Sequence, residues 1–252
     1  MDPRAANEHN HTPLTRDFLI QVLSHLATLL FYSFRCQVHL VVHGGAVMVL
    51  HKKLQGSRQY TRDVDFCLRP FVTEWAQRGV PNAEATLMHC IQATAAHYGL
   101  GSDWMNAHAD VALPMSRSSK GVVYDPIYND ALKRDNVVQN TVFEAPGLRL
   151  IGVSWSWAVA LKLVRFKKDD PQDIAYILDL GRKMKGMQWS RHTLEGWLMT
   201  MCSAMNYAAY SPTQREETRE KMRKAIKLTE KMRPAIYAPS SHRSSAPAVS
   251  AF

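Results

Sequence analysis

The feature that most constrains the fold is a β-branched apolar run that stops at two adjacent glycines. Residues 38–42 read VHLVV, which predicts a buried strand. Gly44 and Gly45 follow almost at once, and the apolar segment 46–54 then predicts a short helix that begins at the glycines. We therefore expect an α+β protein, in which a small mixed sheet has flanking helices and is followed by a helical C-terminal region.

A short alternating segment carries two aspartates. Residues 62–68 read RDVDFCL, which predicts a strand with Asp63 and Asp65 on one face, about 6–7 Å apart by strand rise. Two carboxylates this close are costly unless a cation lies between them, and hard oxygen ligands suit Mg²⁺. The sequence predicts a site for Mg²⁺, with Mn²⁺ as the alternative ion. The free N–H groups at Gly44 and Gly45 would face it and favour a phosphate.

The order of these motifs resembles the nucleotidyltransferase superfamily that includes DNA polymerase beta. Its motif is Gly-Gly or Gly-Ser, a spacer, then Asp-x-Asp, and here 19 residues separate Gly44 from Asp63. The segment is more similar to one branch, the abortive-infection-type (AbiEii-like) nucleotidyltransferases. That branch places an arginine-threonine stretch before the aspartates, where this chain has Arg58 and Thr61.

A second block extends the resemblance. The branch carries a late helix with a lysine, an arginine, Lys-Asp and a closing Asp, and ALKLVRFKKDDPQDI places Lys162, Arg165 and Asp173 in that order. A lysine or arginine there could hold triphosphate oxygens, while Asp173 orients a basic partner. The resemblance covers about residues 35–180.

The resemblance implies Mg²⁺-dependent transfer of a nucleoside monophosphate from an NTP to an acceptor hydroxyl on RNA or protein. The catalytic and metal-binding residues would be Asp63 and Asp65. The nucleotide-binding residues would be Gly44, Gly45, Arg58, Thr61, Lys162 and Arg165.

Active members of the superfamily have a third carboxylate on a neighbouring strand. The candidates are Asp103, Asp110, Asp125 and Glu144, with Asp110 taken as the third metal ligand and Asp103 next. If the segment DWMNAHAD is the neighbouring strand, Asn106 occupies the place of the acid. Since asparagine binds Mg²⁺ more weakly and cannot act as a base, the alternative is a degenerate protein that binds nucleotide, RNA or a partner without turnover.

The positive charge is concentrated near the C-terminus. Residues 1–181 carry 18 basic and 17 acidic side chains, whereas residues 182–252 carry 13 and 5. This excess predicts a polyanionic partner such as a tRNA-like RNA. The alternatives are a protein that only binds RNA through these helices, and a solvated basic helix stabilised by i,i+4 pairs such as Glu217 with Lys221.

Composition divides the chain into four segments. They are a disordered N-terminus (1–13), the nucleotidyltransferase-like domain (14–180), a basic helical region (181–233) and a disordered tail (234–252). Four cysteines without a CxxC pair and a polar N-terminus without a secretory signal predict an intracellular protein, cytoplasmic or nuclear. The apolar helix after residue 15 is too short and too polar to span a bilayer comfortably, so no membrane is expected.

Periodicity and capping residues predict most of the remaining elements. Predicted helices are 16–33, 81–99, 156–167, one beginning at 171, and two more after 190; residues 140–154 predict a hairpin, and 116–136 a loop with one short turn of helix.

Overall fold

One strand that is buried on both faces organises the fold of residues 8–232, the part of the chain that this computed structural model describes. Its helices are α1 (Arg16–Phe34), α2 (Gly45–Leu50), α3 (Leu68–Gln77), α4 (Ala83–Tyr98), α5 (Pro126–Ala131), α6 (Arg134–Asn140), α7 (Trp155–Arg165), α8 (Asp170–Lys185), α9 (Arg191–Met199) and α10 (Pro212–Lys231). Its strands are β1 (Leu14–Thr15), β2 (Val38–His43), β3 (Tyr60–Thr61), β4 (Val64–Phe66), β5 (Met105–Asn106), β6 (Ser116–Arg117), β7 (Val123–Tyr124), β8 (Thr141–Ala145) and β9 (Leu148–Gly152).

The main sheet is mixed and has the order β5-β4-β2-β9-β8. Strand β2 lies parallel to β9 and antiparallel to β4, while β4 is parallel to β5 and β8 antiparallel to β9. Two-stranded pairs β1–β3 and β6–β7 lie outside it. The predicted α+β class with a small mixed sheet is confirmed.

The sheet separates two apolar clusters. Leu40 and Val42 pack with α1, α3 and α4 on one face, whereas Val41 packs with α7, α8 and α9 on the other. This alternation is what the two-residue period of a strand produces when both faces are covered. Because β2 is buried on both faces, it reads as a continuous apolar run and ends where the glycines begin.

Several elements lie where the pattern of the sequence predicts them. Helix α1 begins at Arg16, Gly99 ends α4 with φ 64°, and β8 and β9 form the predicted hairpin. The aspartate strand is shorter than predicted, because the chain turns into α3 at Leu68. The segment predicted as helix 46–54 divides into α2 and a short 3₁₀ turn over Lys52–Leu54.

Two regions contain more structure than the sequence predicts. Residues 116–140 form a small hairpin and two helices, α5 and α6, and Asp125 caps α5 by accepting hydrogen bonds from its first amides. Residues 8–13 fall in the segment predicted to be disordered, yet Asn10 is buried and donates to the carbonyl of Arg62 at 2.6 Å. Residues 1–7 and the predicted tail 234–252 lie outside the described residues.

The C-terminal helices pack on the rest of the protein. Helix α10 lies along α8, and the Thr229 hydroxyl contacts the carbonyl of Ala175 at 3.3 Å. The ammonium group of Lys221 lies over the ring of Phe166 instead of pairing with Glu217 as predicted.

Helix α1 is the one helix among residues 8–232 that is long and apolar enough to cross a membrane by length and composition alone. Leu19, Leu23, Leu26 and Leu30 on it are fully buried in the cluster shared with α4. One face of α1 therefore packs in this cluster, and 33% of its apolar span is buried.

Candidate active site

The glycine turn lies where β2 ends and α2 begins. Gly44 has φ 74° and ψ −145°, a conformation that side chains other than glycine rarely adopt. A Cβ atom on Gly44 would lie 2.6 Å from Oδ2 of Asp65, and one on Gly45 would lie 2.5 Å from Oγ1 of Thr61. The glycines are therefore required by the side chains packed against them, whatever the turn also binds.

The two aspartates lie directly beside this turn. The antiparallel ladder pairs His43 with Asp65, and Asp63 precedes β4 on the same face by alternation. Burial, followed by the neighbouring Asp65 carboxylate, raises the pKa of Asp63, and burial raises the pKa of Asp65. A divalent cation would offset both the burial of these two carboxylates and the repulsion that Asp65 exerts on Asp63.

The strand position beside Asp65 holds an amide. Strand β5 runs parallel to β4, and Asn106 is in register with Asp65. Its Nδ2 donates to the carbonyl of Asp103 at 2.8 Å, and its Oδ1 accepts from the amide of His108 at 3.0 Å. Asn106 is thus the strand neighbour of Asp65, with both ends of its amide engaged in a local turn.

The carboxylate predicted as the third metal ligand serves another role. Asp110 is buried, and its Oδ2 accepts hydrogen bonds from the amides of Leu68 at 3.0 Å and Arg69 at 2.8 Å. These are free amides at the start of α3, so Asp110 caps that helix. Its Oδ2 is therefore used in capping, while its Oδ1 is buried without a hydrogen-bond partner in residues 8–232.

The other candidates for the third acid are also engaged elsewhere. Asp103 accepts hydrogen bonds from His9 and the amide of Asn10, Asp125 caps α5, and Glu144 pairs with Arg149. Asp103 is thus held by the N-terminal segment, Asp125 by the start of α5, and Glu144 by the neighbouring strand β9. The structure brings two carboxylates together, and in residues 8–232 no group of three or more His, Cys, Asp or Glu side chains is arranged to hold a metal.

Two of the predicted phosphate-binding cations are held in ion pairs. Lys162 is buried, with Nζ 2.7 Å from Oδ2 of Asp173. Arg58 contacts Asp173 at 3.0 Å and Asp169 at 3.2 Å, and so ties the loop before β3 to the start of α8. Both cations therefore hold the start of α8 against its neighbours. The buried Lys162 in particular needs its carboxylate partner.

Arg165 remains accessible beside the aspartates. Its guanidinium binds Asp170 through two nitrogens, at 2.9 and 2.7 Å, while its side chain is 48% exposed. The hydrogen bond to Asp170 raises the pKa of Arg165, and the charges of Asp65 and Asp63 act in the same direction. Arg165 is therefore the predicted cation best placed to meet an anionic ligand at the aspartate pair.

A polar cleft is lined by Asp63 at one end. It has a volume of about 540 Å³ and lies between the loop before β4 and the turn that joins α7 to α8. Its lining residues are Ser57, Arg58, Gln59, Tyr60, Thr61, Arg62, Asp63, Lys168, Asp169, Gln172 and Asp173. The volume falls within the range of small-molecule sites, roughly 300–1,000 Å³.

Three residues of the site were outside the predicted set. Arg62 and Lys168 line the cleft with exposed side chains, and their neighbours in the two motifs were the signal that could have identified them. His43 is buried, its Nδ1 is 4.0 Å from Asp65 Oδ2, and its Nε2 has no hydrogen-bond partner within residues 8–232. Because burial lowers the pKa of His43 to about 4, the imidazole is neutral at pH 7.

Comparison with protein-family models, with curated proteins and with solved structures finds no match for this chain. Functional inference therefore depends on the residues and their arrangement.

Proposed function

We propose that the protein is a Mg²⁺-dependent nucleotidyltransferase, which transfers a nucleoside monophosphate from an NTP to an acceptor hydroxyl. One observation carries the proposal: two neighbouring aspartates have raised pKa values, Asp65 packed against the Gly44 turn and Asp63 lining a polar cleft.

The donor set fits Mg²⁺, with Mn²⁺ as the alternative. Protein sites for Mg²⁺ commonly supply one or two carboxylates and leave other positions to water and substrate phosphates. Asp63 and Asp65 are two such carboxylates, and their unfavourable ionisation in the folded protein is what a divalent ion would offset. A bound ion would favour loss of the acceptor hydroxyl proton and offset the charge of the departing pyrophosphate.

The chain itself positions the nucleotide. The backbone at Gly44 and Gly45 is the surface that can approach phosphates closely, and Arg165 is a partly exposed cation on which the charges of Asp63 and Asp65 act. Thr61 donates to the carbonyl of Asp63 at 3.1 Å and so holds the loop that carries it. In this proposal Arg58 and Lys162 act indirectly, by fixing the walls of the cleft.

The acceptor surface proposed for RNA lies beside the same cleft. Lys221 and Lys224 of α10 place their ammonium groups 5.9 and 5.7 Å from the centre of the Phe166 ring. Phe166 directly follows Arg165, and Lys167 and Lys168 after it are exposed. Positive charge around an aromatic ring suits a single-stranded, tRNA-like end, whose binding should weaken as salt rises. A protein hydroxyl remains the alternative acceptor.

Asn106 favours a second candidate function. Because an amide stands beside Asp65 in place of the third acid, the protein could bind nucleotide, RNA or a partner without turnover. An intracellular setting suits both candidates, since the described cysteines are free thiols and three of them are buried.

Incubation with each labelled NTP, Mg²⁺ and total RNA tests the proposal. The variant pair is Asp63→Ala/Asp65→Ala and, as a charge-matched control, Asp17→Ala/Asp135→Ala, which removes one exposed acid from α1 and one from α6. Label that reaches RNA or protein with the wild type and the control, but not with the site variant, supports transfer and names the acceptor class.

Calorimetry with NTP and Mg²⁺ separates the two candidates. Binding that requires Asp63 and Asp65, without label transfer under any NTP, supports the binding-only function. If the protein neither binds nor transfers nucleotide, both the transferase and the nucleotide-binding form of the second candidate are overturned.

A further inference from the structure

A second cavity lies away from the aspartates. It has a volume of about 330 Å³ and lies among α5, α6, the start of α7, α8 and α9. It shares no lining residue with the polar cleft. Its volume is within the range of sites that enclose small molecules, roughly 300–1,000 Å³.

Aromatic and thioether side chains form most of its walls. Three indole rings line it, and so do three methionines and two aliphatic residues. These are Trp155, Trp189, Trp197, Met184, Met187, Met201, Ile177 and Leu180. Indole and thioether groups contact aromatic rings favourably beyond the area they bury.

The aromatic wall is fixed by its surroundings. The Trp189 indole donates to the carbonyl of Leu178 at 2.5 Å, and Trp197 meets it edge to face with ring centres 5.1 Å apart. A Cβ atom on Gly181 would lie 2.6 Å from the Trp189 ring, so the ring rests directly on the backbone of α8. The cavity is thus a built feature of the fold.

The polar lining carries no net charge. Asp130 is paired with Lys133 at 2.6 Å and accepts from the Ser154 hydroxyl at 2.5 Å. The other charged residues at the cavity are Asp135 and Lys185, one of each sign. Asp135 and Lys185 are exposed and hydrated, and the charges of Asp130 and Lys133 already pair with each other, so a charged ligand would lose water in the apolar interior without gaining a buried counter-charge.

We propose that this cavity is a binding site for an uncharged aromatic molecule of two or three rings. The indole walls favour aromatic rings, the volume limits the size, and the balanced charges favour a neutral ligand. Exposed thioethers at Met184 and Met201 provide a flexible apolar rim through which it enters. This binding is independent of any transfer chemistry at the aspartates.

Two matched probes test the proposal. N-phenyl-1-naphthylamine is neutral, and 8-anilino-1-naphthalenesulfonate adds one sulfonate to the same ring frame. We expect saturable binding of the neutral probe at one site, with energy transfer from tryptophan, and affinity for the sulfonate lower by about tenfold. Binding of the neutral probe without saturation, or equal or tighter binding of the sulfonate, would overturn the proposal.

Two matched variants locate the site. Met201 lines the cavity and is 57% exposed, whereas Met199 is 50% exposed and lies outside the lining. Met201→Asp should weaken the neutral probe by about tenfold, and Met199→Asp should leave its affinity unchanged. Circular dichroism and urea denaturation would show that both variants fold. Equal effects of the two substitutions would mean that the probe binds elsewhere.

Discussion

Replacing Gly44 by alanine tests how closely the aspartate strand approaches the glycine turn. The backbone at Gly44, with φ 74° and ψ −145°, strains any side chain by about 1–3 kcal/mol. The added Cβ would also lie 2.6 Å from Asp65 Oδ2, so that carboxylate must move, at a cost of about 1 kcal/mol. We expect Gly44→Ala to lower the free energy of unfolding by about 2–4 kcal/mol in urea denaturation.

Gly56 supplies the matched control. It also has a positive φ, 85°, but a Cβ there would meet nothing within 4 Å. Gly56→Ala therefore measures backbone strain alone, about 1–2 kcal/mol. Any further loss of stability in Gly44→Ala comes from displacement of the Asp65 carboxylate and from the less favourable backbone conformation of Gly44.

A double-mutant cycle separates these two contributions. In an Asp65→Ala background the carboxylate is gone, so Gly44→Ala should cost about 1 kcal/mol less than in the wild type. Additive effects, with the same cost in both backgrounds, would refute the close approach of Asp65 to the turn.

Two further predictions concern the aspartate pair and the second cavity. Since the pKa values of Asp63 and Asp65 are raised in the folded protein, their stabilising contribution is present below the unfolded pKa of about 4 and is lost as pH rises through the folded values. Without Mg²⁺, Asp63→Asn/Asp65→Asn should therefore be more stable than the wild type at pH 7 but not below about pH 4. Added Mg²⁺ should raise the melting temperature of the wild type alone. The same dependence of stability on pH in the wild type and the variant would contradict this. Gly181→Ala should destabilise by about 1–3 kcal/mol in urea, because its Cβ meets the Trp189 ring. Gly196 lies in a helix with open space around it, so Gly196→Ala should stabilise the protein by up to about 1 kcal/mol. Equal changes in the free energy of unfolding for the two substitutions would show that the Trp189 ring moves aside without cost.

The glycine turn and the aspartate strand were predictable because their signals are local. A β-branched run that ends at Gly44 specifies a strand and its turn, and alternation specifies that Asp63 and Asp65 share a face. Helix α4 was equally clear, since Asn82 and Gly99 mark its two ends. None of these features depends on distant residues.

The assignments of Asp110 and Lys162 could not be made in this way. Asp110 caps a helix that begins 42 residues earlier, at Leu68. Lys162 could have faced a phosphate or a carboxylate, and its pairing with Asp173 depends on how α7 packs against α8. A carboxylate or a lysine has the same local pattern in either role, so only the packed helices distinguish them.

The sequence alone determined the strand, the glycine turn and the two aspartates, because short-range periodicity and backbone conformation are properties of neighbouring residues. The tertiary structure decided what surrounds that pair. Strand register places Asn106 beside Asp65, the end of α7 carries Arg165, and the junction of α7 with α8 forms one wall of the polar cleft. Register and helix packing arise from contacts between residues far apart in the chain, and no local pattern encodes them.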